Sequence, residues 1–377
     1  MRKGIFGENR ISLQYKKIKD QINKAIFKTI KSGSFILGEE VKKLEEKIAG
    51  LTGTKYAIGV NSGTDALFLS LKAFGIKKGD EVITTPFSFI ATAEAIANTG
   101  AKPVFVDIDP KTFNINVLKI KEAITKRTKA IIPVHLYGQM AGMKEILKIA
   151  KKHKLFVVED AAQAIGAKQK INGKWKMAGG VGHIGCFSFF PTKNLGAFGD
   201  GGIITTNDKN LAEKIKLLRN HGATKKYYHE VLGISSRLDE LQAAIILAKF
   251  PCLKAWNIRR NNIAKFYNKS LKGIDGITVP ETQEDNYHIY HQYTIRTKHR
   301  DALKNFLEKN GVPTAIHYPI PFNLQPVFNY LGYKKGFFLE AEKAAKEVLS
   351  LPIYPELNSN EQNQVVEKIK QYFKING

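Results

Sequence analysis

Cysteine is scarce. Cys186 and Cys252 are the only two in 377 residues, far apart and outside any CxxC spacing, which argues against a disulfide framework or structural zinc. Reduced, buried thiols are expected. Nowhere do 18 or more apolar residues run together. The N-terminal MRKGIFGENR is positively charged with no apolar stretch behind it, so neither a membrane span nor an export signal is expected. The expectation is a cytoplasmic protein. Internal repeats, low-complexity tracts and a DNA-reading helix-turn-helix are also missing. Acidic residues are outnumbered, 34 Asp and Glu against 59 Lys and Arg, a formal charge of +25. Such an excess suits nucleic-acid binding only when it clusters. Here the lysines are scattered among Ile and Asn over helical stretches such as Tyr15–Lys31 and Ala141–Lys154, so no nucleic-acid partner is expected. The excess can steer an anionic small molecule toward a cleft.

What is present is a chain 43% hydrophobic and 25% charged, long enough for a large core and a smaller second unit. From Lys55 to about Asp208, short β-branched runs alternate with longer segments of helical period, the pattern of a parallel sheet covered by helices. The candidate strands are Tyr56–Val60, Glu81–Thr85, Pro103–Ile108, Ala130–His135, Phe156–Glu159, Gly185–Phe189 and Gly202–Thr206. Helices are expected at Thr64–Phe74, at Ala91–Asn98 and at Ser236–Lys249, the last capped by its serine. Pro251 then breaks the chain. Beyond it a helix at Trp256–Leu271, a strand at Tyr290–Thr297 and helices near Arg300–Asn310, Glu340–Leu349 and Asn360–Phe373 form a smaller α+β unit. The expected division is therefore a large α/β domain over residues 1–250 and a C-terminal domain over 251–377.

Three segments carry chemistry. In Phe187-Ser188-Phe189-Phe190-Pro191-Thr192-Lys193-Asn194-Leu195-Gly196 a lysine stands in a glycine-flanked turn between two strands. A partly desolvated ammonium there loses its proton readily, as imine formation requires, although a surface loop lysine has the same sequence appearance. In Phe156-Val157-Val158-Glu159-Asp160-Ala161-Ala162-Gln163 a carboxylate ends an apolar strand. It needs a cationic partner, unless it serves as a helix cap or salt bridge. Asn61-Ser62-Gly63-Thr64-Asp65 puts a glycine and hydroxyls at a strand-to-helix junction, where backbone N–H groups receive phosphate; the Walker spacing is absent and a plain helix cap looks the same.

With these in order, the chain resembles the sugar aminotransferases of the DegT/DnrJ/EryC1/StrS family, fold type I enzymes that use pyridoxal 5′-phosphate. The resemblance runs from Ser32-Gly33-Ser34-Phe35-Ile36-Leu37-Gly38 through the three segments, Leu218-Arg219-Asn220-His221-Gly222 and Ser236-Arg237-Leu238-Asp239-Glu240, to His317-Tyr318-Pro319 and Leu351-Pro352. It implies a large, mostly parallel seven-stranded sheet domain and a smaller C-terminal α+β domain. It makes Lys193 the Schiff-base lysine and proton shuttle, Asp160 the partner of the pyridinium nitrogen and Gln163 a contact of the phenolic oxygen. Gly63, Thr64 and Ser188 would hold the phosphate, and Phe89 would stack on the ring. Ser235 stands where the family usually has an asparagine that reaches the partner subunit's phosphate, so a homodimer with shared sites is implied. Phe190 and Phe198 replace tyrosines common in relatives.

The resemblance further implies transamination through pyridoxamine 5′-phosphate, with L-glutamate as donor and a nucleotide-linked keto sugar as acceptor. His317-Tyr318-Pro319-Ile320-Pro321 resembles the branch that aminates C3. The acceptor expected is a dTDP-3-oxo-6-deoxyhexose, with a UDP-3-oxo-glucuronate type or a 4-keto sugar as alternatives. His317 and Tyr318 are candidate sugar contacts or, equally, a structural turn. A dehydratase of the same fold would carry histidine in place of Lys193. A regulator with a vestigial site would not need the intact set of Asp160, Gln163, Ser188 and Lys193.

Overall fold

A computed structural model describes residues 10–376; the N-terminal segment read above for an export signal lies, through Asn9, outside the described residues. In chain order the helices are α1 (Arg10–Ser32), α2 (Glu39–Thr52), α3 (Gly63–Ala73), α4 (Ala91–Asn98), α5 (Met143–His153), α6 (Lys209–Leu218), α7 (Glu240–Lys249), α8 (Leu253–Leu271), α9 (Arg300–Lys309), α10 (Leu339–Glu347) and α11 (Ser359–Asn376). The strands are β1 (Tyr56–Val60), β2 (Glu81–Thr84), β3 (Lys102–Phe105), β4 (Thr128–Ile131), β5 (Phe156–Asp160), β6 (Lys168–Ile171), β7 (Lys174–Met177), β8 (Ile184–Ser188), β9 (Gly202–Thr206), β10 (Ala223–Lys225), β11 (Tyr228–His229), β12 (Asn286–Tyr287), β13 (Tyr293–Arg296) and β14 (Val348–Leu351). Among the described residues no helix is long and apolar enough to cross a membrane.

The main sheet has seven strands in the order β1-β9-β8-β5-β4-β2-β3. Only β9 runs against the others, pairing antiparallel with both β1 and β8. The sheet is covered on both faces, which is why its strands read as almost continuous apolar runs. One apolar cluster joins Ile58, Val82 and Val158 to Leu67 of α3, Ile96 of α4 and Ile215 of α6. The other joins Ile83, Val157 and Ile203 to Leu44 of α2, Ile146 of α5 and Ile246 of α7. The C-terminal residues close a third cluster around Tyr267, Tyr293 and Ile369. A fourth, with Phe87, Phe105, Phe322 and Phe338, brings the later chain onto the loops that follow β2 and β3.

Several expectations need correction. The strand expected at Ala130–His135 ends at Ile131, because Pro133 has no N–H for the ladder; Val134 keeps only an isolated bridge to Asp160. The strand expected at Pro103–Ile108 stops at Phe105, and Ile108 bridges to Ile115 instead. Helix α7 begins at Glu240, and Ser236 does not cap it. The Ser236 hydroxyl is turned the other way, accepting from the Asn61 N–H at 3.2 Å and donating to Asp65 at 2.7 Å. The helix expected through Leu349 gives way at Val348 to β14, which pairs with β13. Cys186 is buried as expected, whereas Cys252 is only partly so.

Candidate functional site

In open α/β sheets the loops leaving the C-terminal strand ends converge on a crevice. Here they enclose a cavity of ≈ 470 Å³. It is lined by Gly63 and Thr64 after β1, Phe89 and Thr92 after β2, Asp160 and Gln163 after β5, Ser188 at the end of β8, and Lys193 in the turn that follows. His317 and Tyr318 reach the same cavity from about 120 residues further along the chain. The structure therefore gathers Gly63, Thr64, Phe89, Asp160, Gln163, Ser188, Lys193, His317 and Tyr318 in one place. Ser235 is not among them: it is exposed, on a segment bridged to Asn220.

Strand alternation explains why one of two adjacent carboxylates faces the cavity. The Glu159 carboxylate points to the opposite side, where it accepts from the N–H groups of Gly179, Val181 and Gly182 and lies 2.9 Å from His135 Nε2. The Asp160 carboxylate, 5% exposed, accepts from the Thr92 hydroxyl at 2.7 Å and the Ala162 N–H at 3.2 Å. The Asp160 charge also acts on Lys193. Burial pulls the Lys193 ammonium down from its usual value to about 8, and Asp160 works against that fall. Lys193 is thus a lysine much closer to deprotonation at neutral pH than an exposed one.

Gln163 is held at both ends of its amide. Its Oε1 accepts from the Tyr137 N–H at 2.7 Å, and its Nε2 donates to the Tyr318 hydroxyl at 2.9 Å. The Tyr137 hydroxyl in turn donates to the His317 carbonyl, and His317 Nδ1 lies 2.9 Å from Ser350 Oγ. The ring of Phe89 is 56% exposed and stands 6.3 Å from that of Tyr318.

At the other end of the cavity Ser62 caps α3 by accepting from the Asp65 N–H at 3.0 Å. The N–H groups of Gly63 and Thr64 open the first turn, where no preceding helical carbonyl exists for them. A side chain at Gly63 is excluded, since its Cβ would lie 2.7 Å from Ser188 Cβ. An anion-receiving helix end, a buried carboxylate and a lysine of lowered pKa on one cavity fit a flat cofactor that carries a phosphate, a basic ring nitrogen and a carbonyl.

Known proteins decide between that cofactor and the alternatives. The model of the DegT/DnrJ/EryC1/StrS aminotransferase family matches residues 16–370.

The chain belongs to that family.

It is a pyridoxal-phosphate-dependent aminotransferase. Among relatives, it is 53% identical to a protein of Geobacillus stearothermophilus called a pleiotropic regulatory protein, over 97% of each chain. It is 48% identical to the UDP-N-acetyl-3-dehydro-α-D-glucosamine 3-aminotransferase of Acidithiobacillus ferrooxidans, over 94% of each. It is 45% identical to the dTDP-3-amino-3,6-dideoxy-α-D-galactopyranose transaminase of Aneurinibacillus thermoaerophilus, over 96% of this chain and 97% of that one. The crystal structure of DesV from S. venezuelae superposes with a TM-score of 0.94 at 40% identity, covering 97% of both chains.

Sequence reasoning missed Thr92, which orients Asp160, together with Tyr137 and His291 around the cavity. A threonine in the second position of a helix carries no sequence signal. Thr92 matters only because the loop after β2 brings the start of α4 beside Asp160 at the end of β5.

Proposed function

We propose that this aminotransferase transfers nitrogen from L-glutamate to C3 of a nucleotide-linked 3-keto sugar. The observation that carries the reading is the convergence of Lys193, Asp160 and the His317-Tyr318 pair on one cavity. Bound pyridoxal phosphate supplies an electron sink for charge that develops at the substrate carbon. The rest falls to the chain. Lys193 would hold the cofactor through its amino nitrogen, and its free amine would carry a proton away from the substrate carbon on one face. Asp160, oriented by Thr92, would keep a bound ring nitrogen protonated by electrostatic pairing. The N–H groups of Gly63 and Thr64, with the Ser188 hydroxyl, would receive the phosphate, and Phe89 would stack on the ring. Gln163, its amide fixed by Tyr137, would contact the phenolic oxygen. His317 and Tyr318 close the sugar end.

The names of the relatives divide between UDP and dTDP sugars, and the sequence reading favours a dTDP-3-oxo-6-deoxyhexose. A spectral titration decides. L-glutamate is expected to bleach the visible absorbance of the lysine-bound cofactor, and a 3-oxo sugar linked to one of the two nucleotides to restore it. Restoration by 4-oxo sugars alone would overturn the C3 assignment. Bleaching by another amino acid but not by L-glutamate would overturn the donor assignment.

The same reading includes a homodimer with shared sites. Ser235 is exposed and does not line its own chain's cavity, and in the preceding residues Tyr227 and Leu232 are 85% and 96% exposed. Sedimentation of the active enzyme is expected to give twice the chain mass; an active monomer refutes the shared site.

A further inference from the structure

We infer that Lys249, which the proposed mechanism does not use, is a positioning residue for Lys193 and acts through the carbonyl of Gly196. The inference rests on the reading of Lys193 as the cofactor lysine. From Phe189 to Gly201 the chain forms neither helix nor strand, so what holds Lys193 in place must come from individual contacts. Within the turn the Lys193 N–H donates to the Phe190 carbonyl at 2.9 Å and the Ala197 N–H to the Phe189 carbonyl at 2.7 Å, while the Asn194 side chain donates to Asn257 Oδ1 at 2.8 Å and its Oδ1 lies 3.1 Å from His291 Nδ1. Two more come from α7. Gln242 Oε1 accepts from the Phe198 N–H at 2.9 Å, and Lys249 Nζ donates to the Gly196 carbonyl at 2.7 Å.

Lys249 is fully buried, and among the described residues no carboxylate pairs with it. Its Nζ stands 4.2 Å from the centroid of the Phe198 ring, in the same turn. Withdrawing an ammonium from water without a counter-ion is expensive, and an apolar side chain of the same length would fill this end of α7 without that penalty. What an apolar residue cannot supply is a donor aimed at Gly196. The turn there is closed tightly: a Cβ on Gly196 would lie 2.5 Å from the Pro191 carbonyl oxygen. A shift at Gly196 is therefore passed to Pro191 and to the residues between, which include Lys193. Burial brings the Lys249 ammonium down to about 8, and an uncharged amine still donates, so the contact persists in either protonation state.

The test compares Lys249→Met, which keeps the length and removes the donor, with Lys249→Gln, which keeps an N–H donor. Uptake of pyridoxal phosphate is followed by the visible absorbance of the lysine-bound form, and thermal unfolding is measured alongside. K249M is expected to unfold at or above the wild-type temperature while its cofactor affinity falls roughly tenfold or more, the scale of one lost hydrogen bond from a cationic donor. K249Q is expected to recover part of that loss. Wild-type uptake in K249M overturns the inference. So does an equal loss in both variants together with a lower unfolding temperature, which marks a merely structural role. If K249M does not fold, the donor-free Lys249→Leu takes its place: weaker uptake at an unchanged unfolding temperature supports positioning, and wild-type uptake overturns it. Failure of the Lys193 reading itself is distinguishable, because Lys193→Ala would then retain the visible absorbance however the Lys249 variants behave.

Discussion

Replacing Lys193 by alanine is expected to abolish the visible absorbance of the lysine-bound cofactor and to lower turnover roughly ten-thousandfold or more, since in the proposed mechanism one side chain is both the covalent tether and the proton carrier. The rest of the site is not expected to repair such losses, because in the proposed mechanism Asp160, Gln163 and the α3 terminus bind and orient without moving a proton. The lowered pKa gives the same residue a pH signature. Only the free amine attacks a carbonyl. Uptake of the cofactor by the empty wild-type protein should therefore accelerate as pH rises toward about 8 and level off above it, whereas an exposed lysine would keep accelerating beyond pH 10. Retained absorbance and turnover in K193A would defeat the assignment.

The second large effect is expected at Asp160. Asp160→Asn preserves shape and can still accept from the Thr92 hydroxyl, so the fold should survive while the charge is removed. Turnover should fall roughly a hundred- to a thousandfold, the scale of one electrostatic stabiliser lost from a water-poor site. The variant carries an independent check on the geometry. Asp160 opposes the downward shift of Lys193, so its neutralisation should move the Lys193 titration further down, seen as cofactor uptake levelling off at lower pH than in the wild type. An unchanged uptake profile would show that the two groups do not interact, and near-wild-type turnover would remove Asp160 from the mechanism.

The elements most legible in the sequence were those with a local cause. Strand β5 could be read because Phe156-Val157-Val158 is apolar and β-branched, and its chemistry because a carboxylate buried at the end of such a strand calls for a cation to face it. The turn before α3 could be read from Ser62 and Gly63, whose cap and missing Cβ are both used. The elements misread had remote causes. Ser236 looked like a helix cap, but its hydroxyl was claimed by Asp65, 171 residues away in sequence. Residues at the end of α10 have ordinary helical character, yet Val348–Leu351 is extended because β13 offers a ladder there.

By itself, then, the sequence determined the alternation of strands and helices, the order of the motifs and hence the family, and it singled out the lysine and the strand-end carboxylate proposed for the chemistry. These depend on residue type and on neighbours a few positions away. The tertiary structure alone decided how Glu159 and Asp160 divide between the two sides of the sheet end, and that Thr92 and Tyr137 fix Asp160 and Gln163. It alone decided that Lys249 reaches the turn bearing Lys193. Each of these is a contact between segments far apart in the chain, and such contacts form only when burial of the apolar strands brings their C-terminal ends into register.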